Sequence, residues 1–226
     1  MQPTRIVKHF YQNRQIARDY DGERFSSFSG RIFDYLEKTA IKRAIQDAQR
    51  KNCISTVLDI PCGTGRITEW FLKRGFSVLG GDISQEMMAV GRIKLASFSD
   101  HVTFRQLDLD HLDLSNSSYD LVSCIRLFHH LETEQRSAVL WELARVSRRY
   151  VLINVSYSSP FYRQRRRLKK WLRQGVSRTS STWAEIQREA RDAGLQVAGY
   201  YFVLPLVTED LVLLLEKPYE LQNGRH

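Results

Sequence analysis

Residues 57–66 read VLDIPCGTGR, and the reading of this stretch decides the fold. Val57, Leu58 and Ile60 form a short apolar run suited to a buried strand, Gly63 and Gly65 supply a turn, and Ile67, Trp70 and Phe71 recur at helical spacing. Strand, glycine turn and helix in succession make a nucleotide cradle. The glycines allow positive φ and close backbone approach, and the helix N-terminus adds partial positive charge. Two features argue against a diphosphate ligand. The lysine of a GxxxxGK[ST] loop is absent, and Thr68 stands where the third glycine of GxGxxG would be. Asp59, near the strand end, suits a ligand that carries an ammonium group.

Working outward, strand and helix patterns alternate, as in a parallel sheet with crossover helices. SVLGG (77–81) predicts a second strand ended by Asp82, and Ser84 caps a helix carrying Met87, Met88 and Val90. VTFRQL (102–107) ends at Asp108, YDLVSCI (119–125) is a fourth strand, 133–146 a helix, and YVLINV (150–155) a fifth strand. Thr182 opens a further helix closed by Gly194, and two strands near 196–204 and 210–215 follow, expected to be antiparallel. Residues 4–50 read as helices, either packed on the sheet or forming a lid in which Tyr11, Tyr20, Arg24 or Arg31 meets a ligand.

Asp59, Asp82 and Asp108 repeat at the carboxyl ends of successive parallel strands, where ligands of open α/β sheets bind. Asp82 follows Gly65 by 17 residues, close to the spacing at which an acid accepts both ribose hydroxyls of an adenosine. Asp108 with Leu109 is placed to accept from an adenine amino group. His129 and His130, just after the fourth strand, are the candidate general bases. No His and carboxylate set has metal-ligand spacing.

These residues resemble the class I S-adenosylmethionine-dependent methyltransferases, in particular the broad small-molecule group. VLDIPCGTGR, GGDIS, QLDLDHLDLSNSSYDLV and the HHL after the fourth strand carry the likeness. It implies a Rossmann-like, seven-stranded, mostly parallel sheet in the order 3214576 with strand 7 antiparallel. S-adenosylmethionine would be the cofactor. Pro61, Gly63, Thr64, Gly65 and Arg66 would form its turn, Asp59 would sit near its amino group, Asp82 would hold ribose, and Asp108 with Leu109 adenine. Ile83 and Met87 would wall the adenosine, and Arg126 would lie where the fourth strand opens into the site. The expected organisation is an N-terminal helical lid over 1–50 and a methyltransferase domain over 51–226, with an insertion at about 157–181.

At 226 residues and 42% apolar content the chain can bury one substantial core. No run approaches the length of a membrane span, MQPTRIVKHF lacks the apolar core of a signal peptide, and Cys53, Cys62 and Cys124 form no CxxC pair. A cytoplasmic location is expected. The net charge of +9 comes from one segment: eight Arg and Lys lie between Arg163 and Arg178 with no acid, and without them the chain is nearly neutral. With Phe161, Leu168, Trp171 and Leu172 among them, this reads as an amphipathic basic helix, packed on the domain or docked to an anionic surface such as the inner face of a membrane. The reading is methyl transfer to an O or N nucleophile of a small-molecule, lipid-linked or glycan acceptor. An RNA methyltransferase, a nicotinamide-dependent oxidoreductase and a catalytically silent binding protein are the alternatives.

Overall fold

The computed structural model describes residues 27–158, 180–205 and 208–218. Its seven strands are β1 (Thr56–Asp59), β2 (Ser77–Asp82), β3 (Val102–Gln106), β4 (Tyr119–Cys124), β5 (Ser147–Ser156), β6 (Gln196–Phe202) and β7 (Asp210–Glu216). They form one sheet in the order β3-β2-β1-β4-β5-β7-β6. β1 to β5 pair parallel, and β7 lies antiparallel to both β5 and β6. The order and the reversal of strand 7 are those expected.

Both faces are covered, which explains why the central strands read as near-continuous apolar runs. Successive side chains point to opposite faces. Val57, Leu121, Leu152, Val212 and Leu214 pack on one face with helices α1 (Phe28–Gln49) and α2 (Arg66–Leu72). Leu58, Val122, Val151, Ile153, Leu211 and Leu213 pack on the other with Thr133–Val146 and Trp183–Asp192. A shorter helix, α3 (Gln85–Lys94), follows β2, and Ser84 caps it by accepting from the Met87 N–H at 3.2 Å. Thr133–Val146 is α4 and Trp183–Asp192 is α5, the latter opened by a reciprocal Thr182–Glu185 capping box.

No helix joins β3 to β4. Residues 107–118 instead run across α4, latched by Arg145, whose guanidinium donates to the carbonyls of Leu112 and Leu114 at 2.8 Å each. Leu112, buried within this largely open loop, has its backbone paired in this way.

Of the N-terminal helices expected over 4–50, α1 is described. Tyr11, Tyr20 and Arg24 lie outside the described residues, as does the basic segment 163–178, and Arg31 is exposed on α1. The C-terminal half of α1 packs on the sheet: Ala40, Ile41, Ala44, Ile45 and Ala48 are buried in the same core as β7 and α2. Lys51 and Arg149 both pair with Glu216 on β7. Ile41→Ala should therefore remove about 2–5 kcal/mol from a single cooperative urea transition. A second, earlier transition would show α1 to be a detachable lid.

Candidate active site

The site is set by the ends of β1 and β2. Asp59, the last residue of β1, pairs opposite Gly80, so β2 runs two residues further and carries Asp82 alongside the turn. Cys62 N–H donates to the Gly81 carbonyl and Gly63 N–H to Asp82 Oδ2, both at 2.8 Å, while Ser84 N–H donates to Asp82 Oδ1 at 2.9 Å. The carboxylate is thus anchored by backbone at both oxygens. Asp82 is 6% exposed, and burial raises its pKa.

The glycines have distinct reasons to be there. Gly63 and Gly65 have φ of +54° and +80°. A Cβ at Gly65 would also come within 2.8 Å of Leu95 Cδ1, and one at Gly63 would meet Met87 Cε at 3.4 Å.

Asp59 lies beneath the turn, 1% exposed, and accepts from Thr68 Oγ1 at 2.7 Å. Thr68 replaces the third glycine because its hydroxyl holds this carboxylate. Burial raises the Asp59 pKa to about 6, against the pull of hydrogen bonds from Thr68 and Ser123 and the charge of Arg66. Burial also pushes the Cys62 thiol well up, helped by Asp82 and Asp59, which removes it as a thiolate nucleophile.

The remaining expected residues lie on the turn, on and before α3, after β3 and after β4. Thr64 and Met87 are buried, and Pro61, Ile83, Asp108 and Leu109 are half-buried. Asp108 lies two residues beyond the end of β3, in a turn where its Oδ1 accepts from the Asp110 N–H at 3.0 Å. Phe128–His130 is a short 3₁₀ turn after β4, with His129 buried at 4% exposure and His130 exposed, their rings 4.1 Å apart. Among the described residues no group of three His, Cys, Asp or Glu side chains is placed to hold a metal.

Arg66 and Arg126 both turn to α1. Arg66 donates to Glu37 Oε2 at 2.7 Å and to Asp34, and Arg126 Nε lies 3.0 Å from Glu37 Oε1. Sequence reading missed Asp34, Glu37 and Asn154, whose Oδ1 accepts from the Arg126 N–H at 2.5 Å. A signal existed for two of them. Glu37 interrupts the apolar stripe of Phe33, Ala40, Ile41 and Ala44, and Asn154 interrupts an apolar strand.

The donor set fits an adenosine with a cationic amino-acid tail better than a diphosphate. Two buried carboxylates flank the turn, and the nearby guanidinium of Arg66 is neutralised by Asp34 and Glu37.

Comparison with known proteins agrees with this geometry. The profile of the family described as "Methyltransferase domain" matches residues 57–149. Magnesium protoporphyrin IX methyltransferase from Synechocystis superposes with a TM-score of 0.75 with bound SAH, covering 95% of this chain and 100% of that one at 20% identity. Its SAM-bound structure gives 0.71 at 17% identity, covering 96% and 98%. Among curated relatives, the ubiquinone biosynthesis O-methyltransferase of Nitrosomonas europaea is 31% identical over 77 residues, or 34% of this chain. That match spans about a third (33%) of the relative's own length. The fold is therefore that of the methyltransferases solved with SAH and SAM bound. Residues 57–149, which match the methyltransferase-domain profile, form the centre of that fold.

The raised Asp59 pKa has a stability consequence. Between the usual carboxylate pKa of 3.8 and about 6 the folded chain binds a proton that the unfolded chain releases, so stability falls as pH rises through this window and levels off above it. At about 1.4 kcal/mol per pKa unit the loss is roughly 3 kcal/mol. Asp59→Asn should remove it, so the ligand-free variant gains on the wild type between pH 4 and 7 in urea unfolding. An unchanged difference across that range would show that Asp59 is not held as a buried acid.

Proposed function

We propose that the protein transfers a methyl group from S-adenosylmethionine to an oxygen of a small-molecule acceptor. The observation that carries this reading is the pair of buried carboxylates, Asp59 and Asp82, on either side of a positive-φ glycine turn whose neighbouring guanidinium is already neutralised. The names of the relatives support oxygen as the acceptor atom, since those matching over 77 residues are ubiquinone biosynthesis O-methyltransferases.

The cofactor supplies an electrophilic methyl group on a sulfonium. In this reading Asp82 accepts the ribose hydroxyls while Gly63 and Gly65 let the backbone approach the methionine portion. Asp59 offsets the ammonium charge through the turn, and Asp108 with Leu109 receives adenine between the apolar walls of Ile83 and Met87. Pro61 and Thr64 shape the turn. Arg66 and Arg126 frame it from the side of α1. Most of the rate comes from alignment of donor and acceptor, an effect worth roughly 7–11 kcal/mol for well-oriented reactants. His130, exposed beyond β4, accepts the acceptor's hydroxyl proton at an imidazole nitrogen, and the buried His129 ring backs it.

S-adenosylhomocysteine at 100 times its Kd should raise the melting temperature by roughly 5–11 °C, with no rise from NAD or NADP. Asp82→Ala should abolish the shift, and the opposite ligand preference would sink the reading. His129→Gln and His130→Gln should leave S-adenosylhomocysteine affinity intact. A general base among them would show as a fall of about 10²–10⁴ in kcat with labelled donor and phenolic or carboxylic acceptors. Label passing to RNA and not to small molecules would overturn the acceptor class.

A further inference from the structure

Glu37 is fully buried on α1, with 0% exposure, yet its partners belong to two other parts of the molecule. Oε2 accepts from Arg66 at 2.7 Å and Oε1 lies 3.0 Å from Arg126 Nε. Both arginines stand at backbone positions that local structure does not secure. Arg66 follows Gly65, at φ +80°, and opens α2 with no side-chain cap. Arg126 itself has φ +70°, a region L side chains rarely adopt, and it begins the loop that carries His129 and His130. The N–H of Arg126 donates to Asn154 Oδ1 on β5, and its guanidinium lies over the Phe33 ring of α1, 4.6 Å from the centroid. One carboxylate thus ties the glycine turn and the loop after β4 to the same helix.

Stability does not account for such an arrangement. Exchanging a buried ion pair for apolar residues of similar volume is often neutral or stabilising, and the better-supported use of buried charge is to select one geometry among several. Asp34 reinforces the selection, since it pairs with Arg66 and is itself held by Lys38 at 2.7 Å.

We propose that Glu37 is a positioning residue for methyl transfer, fixing through Arg66 and Arg126 the two loops that frame the cofactor and the reacting atoms. This rests on the methyltransferase reading above. Glu37 touches neither reactant: it acts through the guanidiniums, and a displacement of about 1 Å in such a frame can lower rates by about 10²-fold. Helix α1 is accordingly part of the active site, though every proposed cofactor contact comes from residues 59–126.

The test is calorimetric binding of S-adenosylhomocysteine, with kcat and the donor KM, for the wild-type chain, Glu37→Gln and Glu37→Asp, below the unfolding transition of each. Gln keeps the shape and loses the charge. Asp keeps the charge and shortens the reach by one methylene. We expect Kd to rise at least tenfold in both variants and donor KM to rise with it. A purely structural role would lower the unfolding temperature and leave Kd of the folded fraction at the wild-type value, and that result overturns the proposal. If Glu37→Gln does not fold, Glu37→Asp decides by the same criterion. Failure of the wild type to bind S-adenosylhomocysteine would overturn the methyltransferase reading instead, before either variant is compared.

Discussion

The parallel register of β1 against β2 is the constraint on which the site depends. With Asp59 opposite Gly80, Asp82 projects beyond the end of β1, and the turn closes onto the end of β2 through two backbone donors, Cys62 N–H to the Gly81 carbonyl and Gly63 N–H to Asp82. A slip of one residue would turn every side chain of β1 to the other face, taking Asp59 away from Thr68 and moving Leu58 to the face covered by α1 and α2. The sheet therefore holds the carboxylates before any ligand arrives, and that pre-organisation is what an alignment-driven reaction needs.

Charge balance is the second organising feature. The turn sits among Asp59, Asp82, Arg66 and Arg126, and left to themselves the arginines would make it attractive to phosphate. Asp34 and Glu37 neutralise that potential from α1. The buried carboxylates then set the local field, and burial holds the Asp59 pKa up despite the nearby charge of Arg66.

Much of the fold was legible because its signals are local. Apolar runs of strand length, glycines at 63 and 65, the Ser84 and Thr182 caps and the antiparallel final pair all appear where the spacing places them. The boundaries shifted only slightly: β5 begins at Ser147, before the apolar run, because the parallel ladder with β4 starts at Tyr119 opposite Ser147. The role of Thr68 was not legible, since its position was read as a missing glycine, and a hydroxyl-to-carboxylate bond becomes visible only when helix and strand are packed.

By itself, then, the sequence determined the strand order's raw material, the glycine turn and the acids at the strand ends, because each depends on residues a few positions apart. Tertiary structure alone decided which charges meet. Glu37 lies 29 residues from Arg66 along the chain, and Asn52 donates to the Tyr150 hydroxyl 98 residues away. No periodicity spans such separations, and only the folding of α1 across the sheet, driven by burial of Ile41, Ala44 and Ile45, brings these groups within hydrogen-bond reach.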